Sequence, residues 1–377
     1  MSSPAAAQLS NYLVNSSLLV LTGGMVTFAA ALASSRSLPV EAEEGDAAAD
    51  ADADLAAQPQ AGVEVPAVTG GGDRVPSVGA VARGTQTAVA PTAVAPRGGA
   101  SGGGTGTPPA GAEPAAADVG GAPASREDRL NGVGLALTWL SFLLVAGGVL
   151  ARGVAAGRAP WGNMYEFSIT ACVVILAVYL GLQRRRPSLV HLGLYVTLPV
   201  LTVLGLAVSL FYVPAGPLMP ALHSVWLVVH VSCAIISGAV FTVGATATVL
   251  FLLQDYWERT GKAPRASRRL PTADALDELS YKLYAFVFPL WTFAIIAGAI
   301  WAESAWGRYW GWDPKETWSF ITWVVFAAYL HARATAGWRG RRAAYIALAG
   351  LSCFVFDFVG VNIWLTGLHS YGGLPQR

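Results

Sequence analysis

Charge is scarce in this chain. Only 12% of its 377 residues are Asp, Glu, Lys or Arg, against about 25% in a typical soluble domain. Hydrophobic residues make up 54% and the mean hydropathy is +0.49, so an ordinary soluble enzyme is excluded and a membrane class is indicated. Cysteine is scarce too. Cys172, Cys233 and Cys353 each lie in an apolar run without CxxC spacing. That excludes a disulfide framework or a zinc site and leaves small buried hydrophobes. No Cys-x-x-Cys-His sequence occurs, so the chain is not itself a c-type cytochrome. Aromatics are almost missing from 37–128, an Ala-, Gly-, Pro- and Asp-rich stretch with 13 acidic and 4 basic residues. Such a segment cannot bury enough surface to offset its ordering entropy, and it reads as a disordered, acidic cytoplasmic linker. The rest of the chain holds 20 basic and 10 acidic residues. Its basic residues sit at the ends of apolar runs, and no nucleic-acid partner is implied.

What is abundant is apolar sequence in blocks of about 20 residues, the length that crosses a bilayer as a helix. Eight blocks qualify, at 12–34, 131–151, 164–183, 189–212, 222–254, 284–303, 317–336 and 343–365. They predict an all-α polytopic membrane protein, a bundle of about eight transmembrane helices. The N-terminal span occupies 1–36, the linker 37–128 and the main membrane domain 129–377. The fifth helix is long enough to extend beyond the bilayer. Asp274, Asp277 and Glu278 suggest a short amphipathic helix on the membrane surface within the loop 259–282.

Lys and Arg set the orientation. Fifteen of them fall on one side: Arg36, Arg129, the Arg184–Arg186 triplet, six between the fifth and sixth helices, and Arg333, Arg339, Arg341 and Arg342. Five fall on the other: Arg152, Arg158, Arg308, Lys315 and Arg377. The richer side is assigned to the cytoplasm of a cell inner (plasma) membrane, with both termini outside. The first helix lacks the charged n-region of a cleaved signal peptide and is expected to be retained.

Six of the 13 tryptophans fall within 301–323. The central run is Trp306-Gly-Arg-Tyr-Trp310-Gly-Trp312-Asp313, followed by Pro-Lys-Glu-Thr-Trp318, on the outer side between helices six and seven. Asp313 as N-cap, Pro314 in the first turn and Glu316 three residues on predict that helix seven begins there. Taken singly, Trp301 and Trp323 read as interfacial belt residues. The cluster as a whole does not, because belt residues scatter whereas these concentrate in one loop. Indole faces and close backbone approach at glycine suit a flat, apolar ligand. Arg308 and Lys315 suit carboxylates on that ligand's rim, and the dipole of helix seven adds positive potential. A planar aromatic macrocycle with two carboxylates describes haem.

Haem iron takes axial ligands, and His is the commonest. His223 and His230 share a face of helix five, about 10.5 Å apart. His369 follows helix eight on the outer side. His331 lies in the inner half of helix seven, and intramembrane ionisable residues are costly and usually functional. His191, beside the Arg triplet, reads as interfacial. Asp357, between Phe356 and Phe358, is a further intramembrane polar residue without an assigned role.

The Trp-Gly-Arg-Tyr-Trp-Gly-Trp-Asp run resembles the WWD signature of haem-handling membrane proteins. With Asn163-Met-Tyr-Glu-Phe167, Trp226-Leu-Val-Val-His-Val231, Asn362 and Gly367-Leu-His-Ser-Tyr371, residues 131–373 resemble the CcsA/ResC (CcsB) family of System II cytochrome c biogenesis. The resemblance implies a WWD segment at 306–318, with Trp306, Arg308, Trp310, Trp312 and Asp313 at a site for haem b, which is both substrate and bound ligand. It implies His230 and His369 as iron ligands there. It also implies His331 as ligand of a second, inner site completed by a ResB-like membrane partner. The implied activity is that of a cytochrome c haem lyase component, active as a complex. It delivers haem to the outer face for thioether formation with the Cys-x-x-Cys-His thiols of apocytochrome c, and thioredoxin-like thiol reductants serve it indirectly. No acid–base catalytic residue is implied. Two rivals are a b-type electron-transfer cytochrome, which calls for facing His pairs at membrane depth, and a haem transporter without chemistry, which calls for internal repeats. Neither pattern is evident.

Overall fold

The computed structural model describes residues 3–34, 125–216 and 222–369. The linker reading therefore falls outside the described residues, except at its C-terminal edge. There Ser125 and Asp128 form a capping box, so the following helix starts a few residues before the predicted boundary.

Helices occupy all eight predicted blocks: α1 (Pro4–Ser34), α2 (Arg126–Ala156), α3 (Met164–Arg185), α4 (Gly193–Ser209), α5 (Val225–Thr260), α6 (Ala273–Trp306), α7 (Pro314–Ala334) and α8 (Arg341–Val355). A π-helical turn, Phe356–Gly360, continues α8 into the short α9 (Val361–Trp364). Seven of these stretches are long and apolar enough to cross a membrane. The remaining one, α7, has 21 residues and carries Lys315, Glu316, His331 and Arg333. The described chain is an all-α, multi-pass membrane protein.

Neighbours in sequence pack as pairs: α1 on α2, α5 on α6, and α7 on α8. Small residues allow the first pair to approach closely. Ser10 donates to the Gly148 carbonyl (2.8 Å) and Ser141 to that of Ser17 (3.0 Å), the sort of interhelical bond that joins helices where no hydrophobic force acts between them. Midway along the bundle, Phe241 of α5 stacks on Phe326 of α7 with ring centres 4.1 Å apart.

One element departs from expectation. The amphipathic segment at 274–278 is no separate surface helix but the opening turns of α6, which runs for 34 residues from the Thr272 cap. No glycine or proline lies between Glu278 and Tyr284, so the helix runs on into the apolar part, which contains Pro289. Asp277 then receives both guanidinium arms of Arg333 at 2.8 and 3.0 Å, a bidentate pair that ties the start of α6 to the end of α7. At the same end, Arg341 meets Asp255 and Arg269 meets Glu127.

Candidate functional site: an aromatic cleft at one end of the bundle

The opposite end is organised by two buried carboxylates. Glu166, in the first turn of α3, receives Arg152 at 3.0 Å, Arg158 at 2.7 Å and the Gly162 amide at 2.8 Å. Arg152 also bonds the Val213 carbonyl. This network holds the 157–163 loop and its Trp161 against the cleft. Arg152, which the sequence places at a helix end, is fully buried.

The second carboxylate is Glu316. It accepts the amides of Gly311 (2.7 Å) and Asp313 (3.0 Å) and pairs with Arg308 at 3.3 Å. The Asp313–Pro314–Glu316 start of α7 is as the sequence predicts. The loop before it carries strain: Trp312 has φ 59°, a left-handed conformation that non-glycine residues rarely adopt.

Asp313 does more than cap the helix. Its Oδ1 accepts the Leu368 amide at 2.7 Å and its Oδ2 lies 2.8 Å from Nδ1 of His369. Gly367 permits that approach, since a Cβ there would come within 2.6 Å of the Asp313 carboxylate. Burial lowers the His369 pKa from its usual range, against the opposing effect of the Asp313 hydrogen bond. Burial pushes the Asp313 pKa up, but the bonds from His369 and Leu368 outweigh it and hold the carboxyl below its usual range. A carboxylate only accepts, so Nδ1 of His369 donates to it and Nε2 is left for another partner.

His230 is arranged in the same way by different means. Its Nδ1 sits 2.7 Å from the Ala294 carbonyl of α6, which again leaves Nε2 as the basic atom. Gly298, one turn on, makes room, because a Cβ there would lie 2.7 Å from Nδ1. Trp301 connects the two imidazoles. It is nearly parallel to His230 (6.3 Å, 11°) and edge-on to His369 (5.6 Å), and Trp306 packs against His369 at 4.8 Å. At 2% exposure, Trp301 is a site residue and not the belt residue its isolated position suggested. The cleft between them is also lined by Trp161, Trp310, Trp291 and Phe354.

The structure brings together His230, His369, Trp306, Trp310, Asp313 and Lys315. It sets three expected residues apart. Trp312 is 66% exposed and meets Trp310 edge-on outside the cleft lining. Arg308 is engaged by Glu316 and lies 6.0 Å from the Trp306 ring. His331 is exposed near the far end of α7, about 27 Å along the helix from Asp313. His223 is exposed and lines a neighbouring groove beside Arg158. His191 lies near Glu127 and Asn131 at the Arg-rich end. Beyond Trp301, sequence reasoning missed Trp161. Asp357 was noticed there but given no role, and it is buried within the cleft wall.

Fold and site define a multi-pass, all-α membrane protein with an aromatic cleft flanked by two oriented imidazoles. A family model described as Cytochrome C assembly protein matches residues 161–369. Among curated proteins, the chain is 37% identical over 299 residues to the cytochrome c biogenesis protein CcsA of Gloeobacter violaceus, covering 65% of this chain and 88% of that one. It is 38% identical to the CcsA proteins of Guillardia theta (59% and 80% covered) and Chlamydomonas reinhardtii (62% and 66%). The chain belongs to the cytochrome c assembly protein family, in its CcsA group. Its role is in cytochrome c biogenesis.

Proposed function

We propose that the cleft receives haem b as cargo and presents it for attachment to apocytochrome c, with a ResB-like membrane protein as partner. The observation that carries this reading is the pair of imidazoles. Each has Nδ1 committed, to Asp313 in one case and to the Ala294 carbonyl in the other, and each keeps Nε2 for a metal. A carboxylate or carbonyl accepting from the far ring nitrogen is the usual partner of a metal-binding histidine. The residues present fit the cargo: two nitrogen donors, indole surfaces and an apolar cleft.

Haem supplies the iron that is ligated and the two vinyl groups that react. His230 and His369 fix the iron, while Trp301, Trp306 and Trp310 fix the plane and exclude water. Each thiol of a Cys-x-x-Cys-His segment adds across one vinyl group: the S–H bond breaks, one C–S and one C–H bond form, and no net redox change occurs. This chain contributes positioning, not acid–base catalysis. His331, exposed on α7, serves as one ligand of an inner site that the partner completes. The cleft end faces outward from a cell inner membrane, a reading the Lys/Arg asymmetry supports.

The test is an absorption spectrum of the purified full chain, with and without the ResB-like partner. The expected spectrum is that of six-coordinate, bis-imidazole haem, lost when His230 and His369 are both replaced by Ala. Preparations that hold no haem and take up none when it is added would overturn the reading.

A further inference from the structure

The cleft has a polar pole that the two histidines do not explain. Asp357 is only 6% exposed, and its Oδ1 is buried with no hydrogen-bond partner among the described residues. It sits on the π-helical turn that interrupts α8. π-Helical turns are mostly single bulges inside α-helices and are frequent at functional sites. The Asp357 carbonyl accepts a bond from Nζ of Lys315 at 3.0 Å. An ammonium has three donors, so two remain. Both Lys315 and Asp357 line the cleft that holds His230 and His369. Arg308, the other basic group near the loop, is committed to Glu316.

An ammonium with donors to spare beside a buried acceptor without a donor is an incomplete site. Leaving such an oxygen unsatisfied is costly. The group that completes both at once is a carboxyl. Its oxygens accept from Lys315, and a single proton shared between it and Asp357 fills the orphaned acceptor. One ammonium and one shared proton then balance two carboxyl groups.

We propose that Lys315 and Asp357 together form a carboxyl-binding site inside the cleft, which takes one of the two acid side groups of the porphyrin. The proposal rests on the haem reading above. It makes Asp357 a binding residue and fixes which edge of the macrocycle points toward α8.

The experiment compares haem with haem dimethyl ester, in which both acid groups are masked, by absorbance titration of the full chain. Wild type binds haem at least about tenfold more tightly than the ester, the worth of one charge-assisted hydrogen bond. Lys315→Met removes that preference by weakening haem and leaving the ester unchanged, and Lys315→Arg retains most of it. Asp357→Asn, whose amide donates in place of the shared proton, keeps the preference, whereas Asp357→Leu lowers it about tenfold. Equal binding of the two compounds by wild type, or equal weakening of both by Lys315→Met, overturns the carboxyl site and leaves the haem reading intact. So does an Asp357→Leu protein with wild-type preference. If wild type binds neither compound, the haem reading itself has failed.

Discussion

Asp313 and His369 meet at 2.8 Å through Oδ2 and Nδ1, and the same carboxylate caps α7. One side chain therefore starts a helix and orients a proposed ligand 56 residues downstream. Asp313→Asn preserves the cap, since Asn and Asp serve equally there. It removes the anionic partner of the imidazole and is expected to weaken haem binding by about 10- to 100-fold. Asp313→Ala also loses about 1 kcal/mol of helix capping. Haem titration and thermal melting of the two variants separate the effects; matching melts with unequal haem binding would contradict the double role.

Replacement of either His230 or His369 by Ala should abolish holocytochrome formation when the chain is coexpressed with its partner and a reporter cytochrome. Added imidazole should partly restore it, since a free ligand can occupy the vacated iron position while the indoles hold the plane. His223→Ala should assemble cytochrome normally, because that ring is exposed in a separate groove. The structure places His223 before the Ser224 cap and not on the α5 face shared with His230 that the sequence predicted, so an inactive His223→Ala beside an active His230→Ala would move that ligand off the helix.

Gly298 offers a subtler probe. In an open helix, Gly→Ala stabilises by about 1 kcal/mol. Here the new Cβ would lie 2.7 Å from the His230 ring, so the imidazole must leave the Ala294 carbonyl. Gly298→Ala is expected to lower haem affinity by about tenfold with little change in helicity. Wild-type affinity would show that His230 does not need its present orientation.

Topology is testable by labelling with a membrane-impermeant thiol reagent after Cys172, Cys233 and Cys353 are replaced. Tyr309 is 61% exposed beside the cleft, and the Arg259 side chain is 45% exposed at the end of α5. A cysteine at 309 should label in intact cells and one at 259 only after permeabilisation. The reverse pattern would invert the protein in the membrane.

His331→Ala should reduce the haem that copurifies with the two-protein complex but leave titration of the cleft with added haem unchanged. The two positions are separated by about 27 Å of helix. Unchanged haem in the complex would reduce His331 to an exposed surface residue.

Hydropathy located every long helix, because a bilayer demands runs of about 20 apolar residues and little else produces them. The Asp-Pro-x-Glu start of α7 was equally legible, since capping is local chemistry. What escaped depends on tertiary packing. Trp301 has the spacing of an interfacial residue and becomes buried only because His230, Trp306 and His369 converge on it. Arg152 looks like a helix-end charge until Glu166 draws it inside. The π-helical turn at Asp357 leaves no mark on a hydropathy profile, as one inserted residue changes no composition. Trp312 suits the expected aromatic platform by residue type, yet it stands at a φ of 59° with its indole exposed.

The length of α5 has a mechanical corollary. Its 36 residues span about 54 Å, well over the roughly 30 Å of a hydrocarbon core. His230 lies near its beginning, so the excess projects at the other end, where Asp255 meets Arg341. With α6 packed alongside, the pair is a stiff lever whose short arm carries the proposed ligand His230. A tilt of about 5° about the cleft displaces the far tip by roughly 4 Å over the about 45 Å beyond His230. A body gripping the projecting end therefore has purchase on the ligand geometry without touching the cleft.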